Sequence, residues 1–316
     1  MKIGCFLSSE ECGPLELVAR AKRAEAAGFH ALWISDHYHP WIDEQGHSPF
    51  VWSVIGAIAA TTDLPVTTGV TCPTLRIHPA VVAHAAATSA VMLDGRFVLG
   101  VGSGEALNEH ILGDAWPPAE IRLEMLEEAV EVMRRLWSED GFVTHRGRYY
   151  TVDNARLYTR PDVPPQVYVS GFGPAATKLA ARIGDGYVTT SPDTELLGLF
   201  REESGGKPAQ AGVKVAWAPT QDEGVGHAHR LWANSGLPGE MAQILPSPRH
   251  FEQASQLVTE ESTRESVSAG PDLDAHREAL QPYVDAGFEE LYLGNIGPHT
   301  LDMLEVFGRE VLPGLR

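Results

Sequence analysis

The sequence is poor in cysteine, in basic residues and in long apolar runs. Its three cysteines are odd in number and lack C-x-x-C spacing, which argues against a disulfide-built secreted domain and favours a reducing compartment. The 24 basic residues are outnumbered by 42 acidic ones, and the net charge of -18 argues against nucleic acid and anionic lipid as partners. No apolar run approaches the roughly 20 residues of a bilayer span, and the opening MKIGCFLSSEECGP lacks a signal peptide's layout. We therefore expect a cytoplasmic protein with no membrane segment and a small-molecule partner.

What the sequence does have is a regular alternation of strand and helix patterns. Runs rich in β-branched and apolar residues alternate with stretches of helical period, which is typical of βα units that build a parallel sheet. With 43% hydrophobic residues in 316, the chain has material for one large core. We predict a single α/β domain over 1–316, a (β/α)8 TIM barrel. Its strands are expected at 2–8, 30–36, 65–70, 97–103, 165–171, 186–191, 213–219 and 290–295.

Two segments interrupt this alternation. Residues 142–155 alternate as in a hairpin around Arg146-Gly147. Residues 236–271, with scattered Gly, Pro, Ser and Thr, are predicted to be an insertion before the last barrel helix, where barrels carry substrate-selecting loops.

Two predicted helices, FVWSVIGAIAATT and AVVAHAAATSAVML, are apolar around most of their circumference. An outer barrel helix should have one solvated face, so we expect these two in the interface of a homodimer. Coverage by the protein's own loops is the alternative.

Reactive groups in TIM barrels come from the carboxyl ends of strands, so the residues there carry the functional argument. Glu10 follows the first strand, His37 and Trp41 follow the second, and Glu105 follows the fourth. Together they offer a proton acceptor, a flat wall and charge-balancing acids at one mouth. A structural role for a lone histidine is the competing interpretation, and the neighbouring acids and tryptophan argue against it.

Metal chemistry is a second alternative, because His37-x-His39 resembles the metal pair of barrel hydrolases. It needs further ligands on later strands, yet strands five and six end in Ser170-Gly171 and Thr189-Thr190. We therefore expect no metal. His227-x-His229 lies among polar helical residues and is interpreted as a solvated face.

Two glycine-rich stretches are candidates for phosphate binding. GVGSGEALNE at 100–109 has the wrong glycine spacing for a dinucleotide fingerprint. GFGPAA at 171–176 follows a strand and opens a helix, so its backbone N–H groups and the helix N-terminus are suited to a phosphate. A simple tight turn is the alternative.

Several of these stretches together resemble the luciferase-like barrels, and within them the F420-dependent glucose-6-phosphate dehydrogenase group. They are SDHYHPW at 35–41, TCPTLRIHPAVVAHA at 71–85, GVGSGEALNE at 100–109 and GDGYVTTS at 184–191. The similarity runs over roughly the first two thirds of the chain and again at the C-terminal barrel unit. It implies coenzyme F420 as cofactor, with FMN as the alternative, and hydride transfer as the reaction.

The resemblance also implies roles for individual residues. His37 would be the general base, Trp41 would pack beside the reacting centre, Glu105 would lie near the pyrimidine side of the deazaflavin, and Glu10 would lie close by. A non-proline cis peptide at Gly69-Val70 would form a bulge behind the ring. The expected cofactor contacts are Asp36, Gly69, Val70, Cys72, Ser103, Gly104, Asn108, Ser170, Gly171, Phe172 and Gly173.

One departure from the family concerns the substrate. Where the sugar-phosphate enzymes carry a phosphate-binding lysine after strand six, this chain reads Thr190-Ser191-Pro192-Asp193. A carboxylate there would repel a phosphate dianion. We therefore expect Thr190, Asp193 and Arg264 near the substrate, and a neutral alcohol, carbonyl or imine in place of glucose 6-phosphate. An FMN-dependent monooxygenase and a non-catalytic cofactor-binding barrel remain the alternatives.

Overall fold

The computed structural model describes residues 1–315, and within them eight parallel strands close into a barrel. The strands of the chain are β1 (Lys2–Leu7), β2 (Leu32–Ile34), β3 (Val66–Thr68), β4 (Phe97–Val101), β5 (Val143–Arg146), β6 (Thr151–Ala155), β7 (Gln166–Ser170), β8 (Gly186–Thr189), β9 (Ala209–Val215) and β10 (Glu290–Asn295). The barrel order is β1-β10-β9-β8-β7-β4-β3-β2. The predicted TIM-barrel class is therefore confirmed.

Helices surround the barrel and carry its connections. They are α1 (Pro14–Ala26), α2 (Val51–Ala59), α3 (Pro79–Met92), α4 (Ala106–Glu109), α5 (Ala119–Ser138), α6 (Pro174–Ile183), α7 (Thr194–Ser204), α8 (Gln221–Trp232), α9 (Met241–Ile244), α10 (Pro248–Ser255), α11 (Glu260–Ser266), α12 (Leu273–Ala286) and α13 (Thr300–Glu310). Short 3-10 turns lie at Asp43–Gln45, His110–Leu112, Ala233–Gly236 and Leu312–Gly314. Along residues 1–315, no helix has both the length and the apolarity to cross a membrane.

The barrel interior is closed by stacked aromatic rings. Trp33 on β2 stacks on Tyr292 of β10, with centroids 4.8 Å apart and ring planes 10° apart, and its Nε1 donates to Gln210 Oε1 at 2.9 Å. Glycines opposite make room: a Cβ at Gly4 would lie 2.3 Å from Tyr292, and one at Gly212 would lie 2.3 Å from Trp33. The axis is therefore filled at this level, and the candidate site is expected at the carboxyl ends of the strands, where barrels carry their reactive groups.

The hairpin prediction for 142–155 is confirmed, because β5 and β6 pair antiparallel with the turn between Arg146 and Thr151. The predicted seventh strand at 213–219 is wrong in its bounds, since β9 covers Ala209–Val215. The prediction followed the most apolar run, VKVAWAP. The strand instead begins at AQAG. Within this stretch Gly212 leaves room for the Trp33 ring.

The insertion is also placed differently from the prediction. Its short elements, from the turn at Ala233–Gly236 through α11, lie between α8 and α12. Because α12 leads into β10 and α13 follows that strand, the insertion precedes the next-to-last barrel helix and not the last one. The sequence prediction was one βα unit late, since the strand pattern at 290–295 is followed by a further helix.

Candidate active site

His37 lies at the mouth of the barrel in the loop that follows β2. Its side chain is 10% exposed, and its Nε2 lies 3.6 Å from Glu10 Oε1 and 3.7 Å from Glu105 Oε2. The Trp41 ring lies 5.0 Å away, tilted by 58°. The four residues that the sequence singles out for chemistry are therefore brought together from the ends of β1, β2 and β4.

Asn108, at the start of α4, fixes the histidine loop. Its Oδ1 accepts the backbone N–H groups of Tyr38 and His39 at 2.9 and 3.1 Å. Those two donors determine the orientation of the amide, so its Nδ2 is the donor to Glu105 Oε2 at 2.9 Å and to His37 Nδ1 at 3.2 Å. All four hydrogen-bonding capacities are used, so Asn108 positions His37 and has none left for a cofactor. In the neutral imidazole the proton therefore lies on Nε2.

The two carboxylates beside His37 differ in environment. Burial raises the pKa of Glu105, because desolvation outweighs the attraction of His37. Burial also opposes the charge of Glu10, which is 2% exposed, but His37, Lys214 and the Ser35 hydroxyl at 2.8 Å outweigh it and lower the pKa of Glu10. Glu10 is therefore held as an anion, whereas Glu105 is the carboxylate that takes up a proton more readily.

Beneath His37 lies a buried ion network that the sequence analysis missed. The Arg76 guanidinium contacts Asp36 Oδ1 at 3.0 Å and Glu109 Oε1 at 3.5 Å, and the Arg76 backbone N–H donates to Glu109 Oε2 at 2.8 Å. Thr71 Oγ1 donates to Asp36 Oδ2 at 2.8 Å. The two carboxylates are 1% and 0% exposed. Asp36, predicted to contact the cofactor, thus joins the loops after β2 and β3 to α4. The sequence did contain a signal for this network. Arg76 lies in the loop after β3, and the segments after the neighbouring strands β2 and β4 carry the acids Asp36 and Glu109.

The insertion supports the site through one aromatic contact. Phe251, on α10, is fully buried, and its ring meets that of Trp41 edge-on at 5.1 Å and 82°. The Trp41 backbone N–H donates to Gln45 Oε1 at 2.8 Å, and Gln45 Nε2 donates to the Leu231 carbonyl at 2.9 Å. The tryptophan wall beside His37 is therefore held from both the β2 loop and the insertion.

A lysine also reaches the mouth, and the sequence analysis did not find it. Lys214, near the end of β9, places its Nζ 2.9 Å from the centroid of the Trp232 ring and 4.8 Å from that of Phe6. Trp232 Nε1 in turn donates to Glu11 Oε1 at 2.6 Å. Burial lowers the pKa of Lys214 to about 8, although Glu10 and Glu11 oppose the shift. Burial likewise raises the pKa of Glu11. Because the seventh strand was predicted at 213–219, Lys214 was not recognised as a residue near the carboxyl end of that strand.

The backbone at the end of β3 matches the expected bulge. The Gly69-Val70 peptide bond is cis, as the resemblance implied. Neighbouring glycines make room for it: a Cβ at Gly102 would lie 2.8 Å from Val70 Cγ2, and one at Gly100 would lie 1.9 Å from the Thr68 carbonyl oxygen. The bulge therefore presents a compact apolar surface at the mouth, which suits the face of a planar ring.

The glycine turn after β7 leads into a helix whose start is not capped. A Cβ at Gly171 would lie 3.0 Å from the Thr177 nitrogen, whereas one at Gly173 would meet open space. Gly173 precedes α6 and supplies no capping side chain, and Pro174 has no N–H, so the N–H groups of Ala175 and Ala176 are open to an anion. Phe172 is 54% exposed beside them. Ser170, at the end of β7, is half-buried.

The remaining predicted contacts vary in position. Cys72 packs under Gly104, where a Cβ would lie 2.5 Å from its Sγ, and burial raises the thiol's pKa well above its usual range. Ser103 is half-buried in the same loop. Asp193 caps α7 by accepting from the N–H groups of Glu195 and Leu196.

The other two residues expected near the substrate are Thr190 and Arg264. Thr190 is exposed, and its carbonyl accepts from Tyr283 Oη at 3.0 Å. Arg264 pairs with Asp222 at 3.0 Å and with Glu260 at 3.4 Å. Neither contacts the His37 cluster.

The chain is similar to known proteins over its whole length. A family model described as luciferase-like monooxygenase matches residues 1–290. The chain is 37% identical over 330 residues to an F420-dependent glucose-6-phosphate dehydrogenase of Microbacterium testaceum (strain StLB037), covering 100% of this chain and 98% of the relative. A protein of the same name from Intrasporangium calvum is 36% identical over 332 residues, with 100% and 99% covered.

Solved structures share the same architecture. An F420-dependent secondary alcohol dehydrogenase in complex with an F420-acetone adduct matches with a TM-score of 0.92 at 34% identity, covering 100% of this chain and 99% of that one. A coenzyme F420-dependent tetrahydromethanopterin reductase from Methanopyrus kandleri matches with a TM-score of 0.80 at 20% identity, covering 100% and 99%. At that lower identity the likeness shows the fold alone.

Proposed function

We propose, from the premise that the chain belongs to the luciferase-like monooxygenase family, that it is an F420-dependent oxidoreductase. It transfers a hydride between a small hydroxylated or carbonyl substrate and coenzyme F420. The observation that carries this proposal is His37, held between Glu10 and Glu105 at the mouth of the barrel with Trp41 beside it.

The residues at the mouth fit a planar, phosphate-bearing cofactor. The bulge at Gly69-Val70 offers an apolar surface for the ring, and the turn from Gly171 to Gly173 with the uncapped start of α6 offers backbone donors for a phosphate. When bound, the deazaflavin would supply the two-electron acceptor for a hydride. Trp41, held in place by Phe251, would shield the reacting carbon from water.

The resemblance gives the role of general base to His37, and the contacts of Asn108 suggest a different division of labour. Because Asn108 donates to Nδ1, the neutral ring carries its proton on Nε2 and acts as a donor to the substrate oxygen. Glu105, whose pKa is raised by burial, is the carboxylate that accepts the hydroxyl proton, while Glu10 stays ionised beside the ring.

For the substrate we propose a neutral secondary alcohol, or the matching ketone in the reverse direction. The carboxylates of Glu10, Glu11 and Glu105 at the mouth, and Asp193 after β8, disfavour a phosphate dianion. The 34% identical structural neighbour is described as a secondary alcohol dehydrogenase, which supports the same class.

The test is equilibrium titration of the protein with F420 and with FMN, followed by an anaerobic screen of alcohols and phosphorylated sugars for bleaching of oxidised F420. We expect binding of F420 and bleaching with secondary alcohols. Binding of FMN alone would replace the proposal with a flavin monooxygenase.

Efficient bleaching with glucose 6-phosphate would overturn the substrate assignment. Asp193→Asn is a suitable comparison, because asparagine keeps the helix cap and removes the charge. If the charge excludes phosphate, this variant gains activity with sugar phosphates and keeps its stability.

We also propose that the protein is a homodimer through α2 and α3. Large apolar side chains there are exposed in the single chain: Phe50 by 56%, Val81 by 58%, Val91 by 44% and Met92 by 47%. Burying such a patch is favourable at about 25 cal/mol per Å². Sedimentation at micromolar concentration should show a dimer, and Val81→Glu should yield monomers. A monomeric wild type would refute the proposal.

The compartment proposed is the cytoplasm. Cys5, Cys12 and Cys72 are all free and buried, as expected for a chain that folds under reducing conditions.

A further inference from the structure

A second cluster of ligand-type side chains lies at the mouth, on loops that the proposed reaction does not use. Glu223 and His227 are one helical turn apart on α8, which follows β9, and His299 precedes α13, which follows β10. Since β9 and β10 are hydrogen-bonded neighbours in the barrel, these residues converge from adjacent loops. We call them the histidine triad. His227, interpreted from the sequence as part of a solvated face, is only 18% exposed.

The distances within the triad are those of a compact ligand set. His299 Nε2 lies 2.8 Å from Glu223 Oε1, and His227 Nε2 lies 3.6 Å from the same oxygen. One ligand atom from each residue lies within 4.8 Å of the others. Around tetrahedral Zn²⁺ with bonds of about 2.0–2.1 Å, ligand atoms are about 3.3 Å apart, so the two contacts to Glu223 need shifts of about half an ångström or less and the two histidines shifts of at most about 1.5 Å.

One ring nitrogen in the triad has no other function in the fold. Among residues 1–315, His227 Nε2 is buried without a hydrogen-bond partner, although it faces the carboxylate of Glu223. The backbone of Gly297 lies close to this ring, since a Cβ there would be 3.1 Å from His227 Cγ. A buried imidazole nitrogen without a partner is costly unless something binds it.

The groups around the triad resemble a second shell. His299 Nδ1 lies 3.6 Å from Asp302 Oδ2, the carboxylate–histidine arrangement that orients imidazole ligands of metals. When His227 Nε2 binds a metal, its proton lies on Nδ1, so the exposed Arg230 guanidinium, 3.5 Å from Nδ1, must turn away from that nitrogen.

We propose that Glu223, His227 and His299 form a binding site for a first-row divalent transition metal such as Zn²⁺, with one coordination position left to water. Two imidazoles and one carboxylate suit Zn²⁺, Co²⁺ or Ni²⁺ and not Mg²⁺ or Ca²⁺, which require oxygen ligands. The site differs from the His37-x-His39 pair considered from the sequence, whose histidines contact other groups.

The bound metal would tie together the loops after β9 and β10. The second loop also contacts the reaction site, because the Gly297 N–H donates to Glu11 Oε2 at 2.9 Å and Glu11 adjoins Glu10. The metal is therefore structural, and its effect is to hold one wall of the mouth. This inference is independent of the cofactor proposal, since it concerns the apoprotein.

The experiment uses tag-free, full-length apoprotein stripped with a chelator and titrated with ZnCl2 by calorimetry, with metal content read by mass spectrometry. We expect one equivalent of Zn²⁺ bound per chain and a melting temperature raised by about 3–8 °C at ~100-fold excess over Kd. Co²⁺ in place of Zn²⁺ should give the visible absorption of a tetrahedral site.

Two variants and a control test the assignment. His299→Ala and Glu223→Gln should each weaken Zn²⁺ binding at least ~10-fold, with the glutamine variant retaining the metal-free melting temperature. His30→Ala, at an exposed histidine before β2, is the matched control and should bind as the wild type does. Absence of saturable Zn²⁺ binding, or equal binding by the wild type and both triad variants, would overturn the proposal.

Discussion

The two halves of the barrel place different kinds of residue at the same mouth. The loops after β1 to β4 bring buried titratable groups together, with His37 set between two carboxylates above the Arg76 ion network. The loops after β7 and β8 offer glycine backbone, an uncapped helix start and a capped one. The first half, which also carries the Gly69-Val70 bulge, holds the groups for proton movement, and the second holds the backbone donors for an anion, so substitutions in each should fail in different measurements.

The largest effect is expected in the first half, at the reacting groups. His37→Ala and Glu105→Gln should each lower kcat by about 10²–10⁴-fold and change the Kd of F420 by less than ~3-fold. Anaerobic bleaching kinetics and fluorescence titration measure the two quantities. If Glu105 is the base, the acidic limb of the kcat/KM profile disappears in Glu105→Gln. Persistence of that limb would indicate that His37 is the general base.

A large loss of stability is expected at Arg76. Arg76→Met leaves the carboxylates of Asp36 and Glu109 buried without their cation, so the free energy of unfolding should fall by about 3–5 kcal/mol. Urea denaturation provides the measurement. Arg146→Met, which breaks an exposed pair with Asp153, is the control and should cost under ~1 kcal/mol. Similar losses in both variants would remove the distinction between buried network and surface.

Lys214, on β9 of the second half, faces the carboxylates of the first half and gives a pH-dependent test of its burial. Its pKa is lowered from 10.5 to about 8 in the fold, so above pH 8 the unfolded chain binds the extra proton. The free energy of unfolding therefore rises by at most about 3 kcal/mol between pH 8 and 10.5, as the buried ammonium loses its proton. Below pH 8 the cost of burying the ammonium is fully present.

Relative to Lys214→Met, the wild type should gain stability over that interval in urea titrations. Lys178→Met, an exposed lysine with 59% of its side chain accessible, should show no such gain. A flat difference between the wild type and Lys214→Met would contradict the buried ammonium.

The smallest effect is expected in the second half, at the cap of α7. Asp193→Ala removes two hydrogen bonds to backbone N–H groups and should cost about 0.5–2 kcal/mol of stability. Thermal melts measure this cost, and the Kd of F420 should stay unchanged. A marked loss of F420 binding would place Asp193 at the cofactor and blur the division between the halves.

Much of the fold and the centre of the site could be predicted from sequence. The alternation of strand and helix periods gave the barrel, and the rule that chemistry follows strand ends brought Glu10, His37 and Glu105 together before any coordinates. These inferences succeed because parallel strands carry their ends to a single edge.

The rest depended on contacts between residues distant in sequence. Arg76 and Phe251 act through partners on other loops, and no local pattern encodes such pairs. Lys214 was not recognised because β9 begins with small residues, one of which, Gly212, leaves room for Trp33. Such residues lack the β-branched, apolar pattern that predicts a strand. The triad was missed because His299 lies 72 residues from His227 along the chain.

The stacked pair of Trp33 and Tyr292 has a consequence for ligand traffic. We expect no second exit through the amino-terminal end, because these rings stack across the barrel axis in the part of the chain that the structure describes. Two ligands that occupy the mouth together must therefore share one entrance, and the deeper one cannot depart while the shallower one covers it. Binding and release then follow a compulsory order, which product-inhibition patterns would reveal.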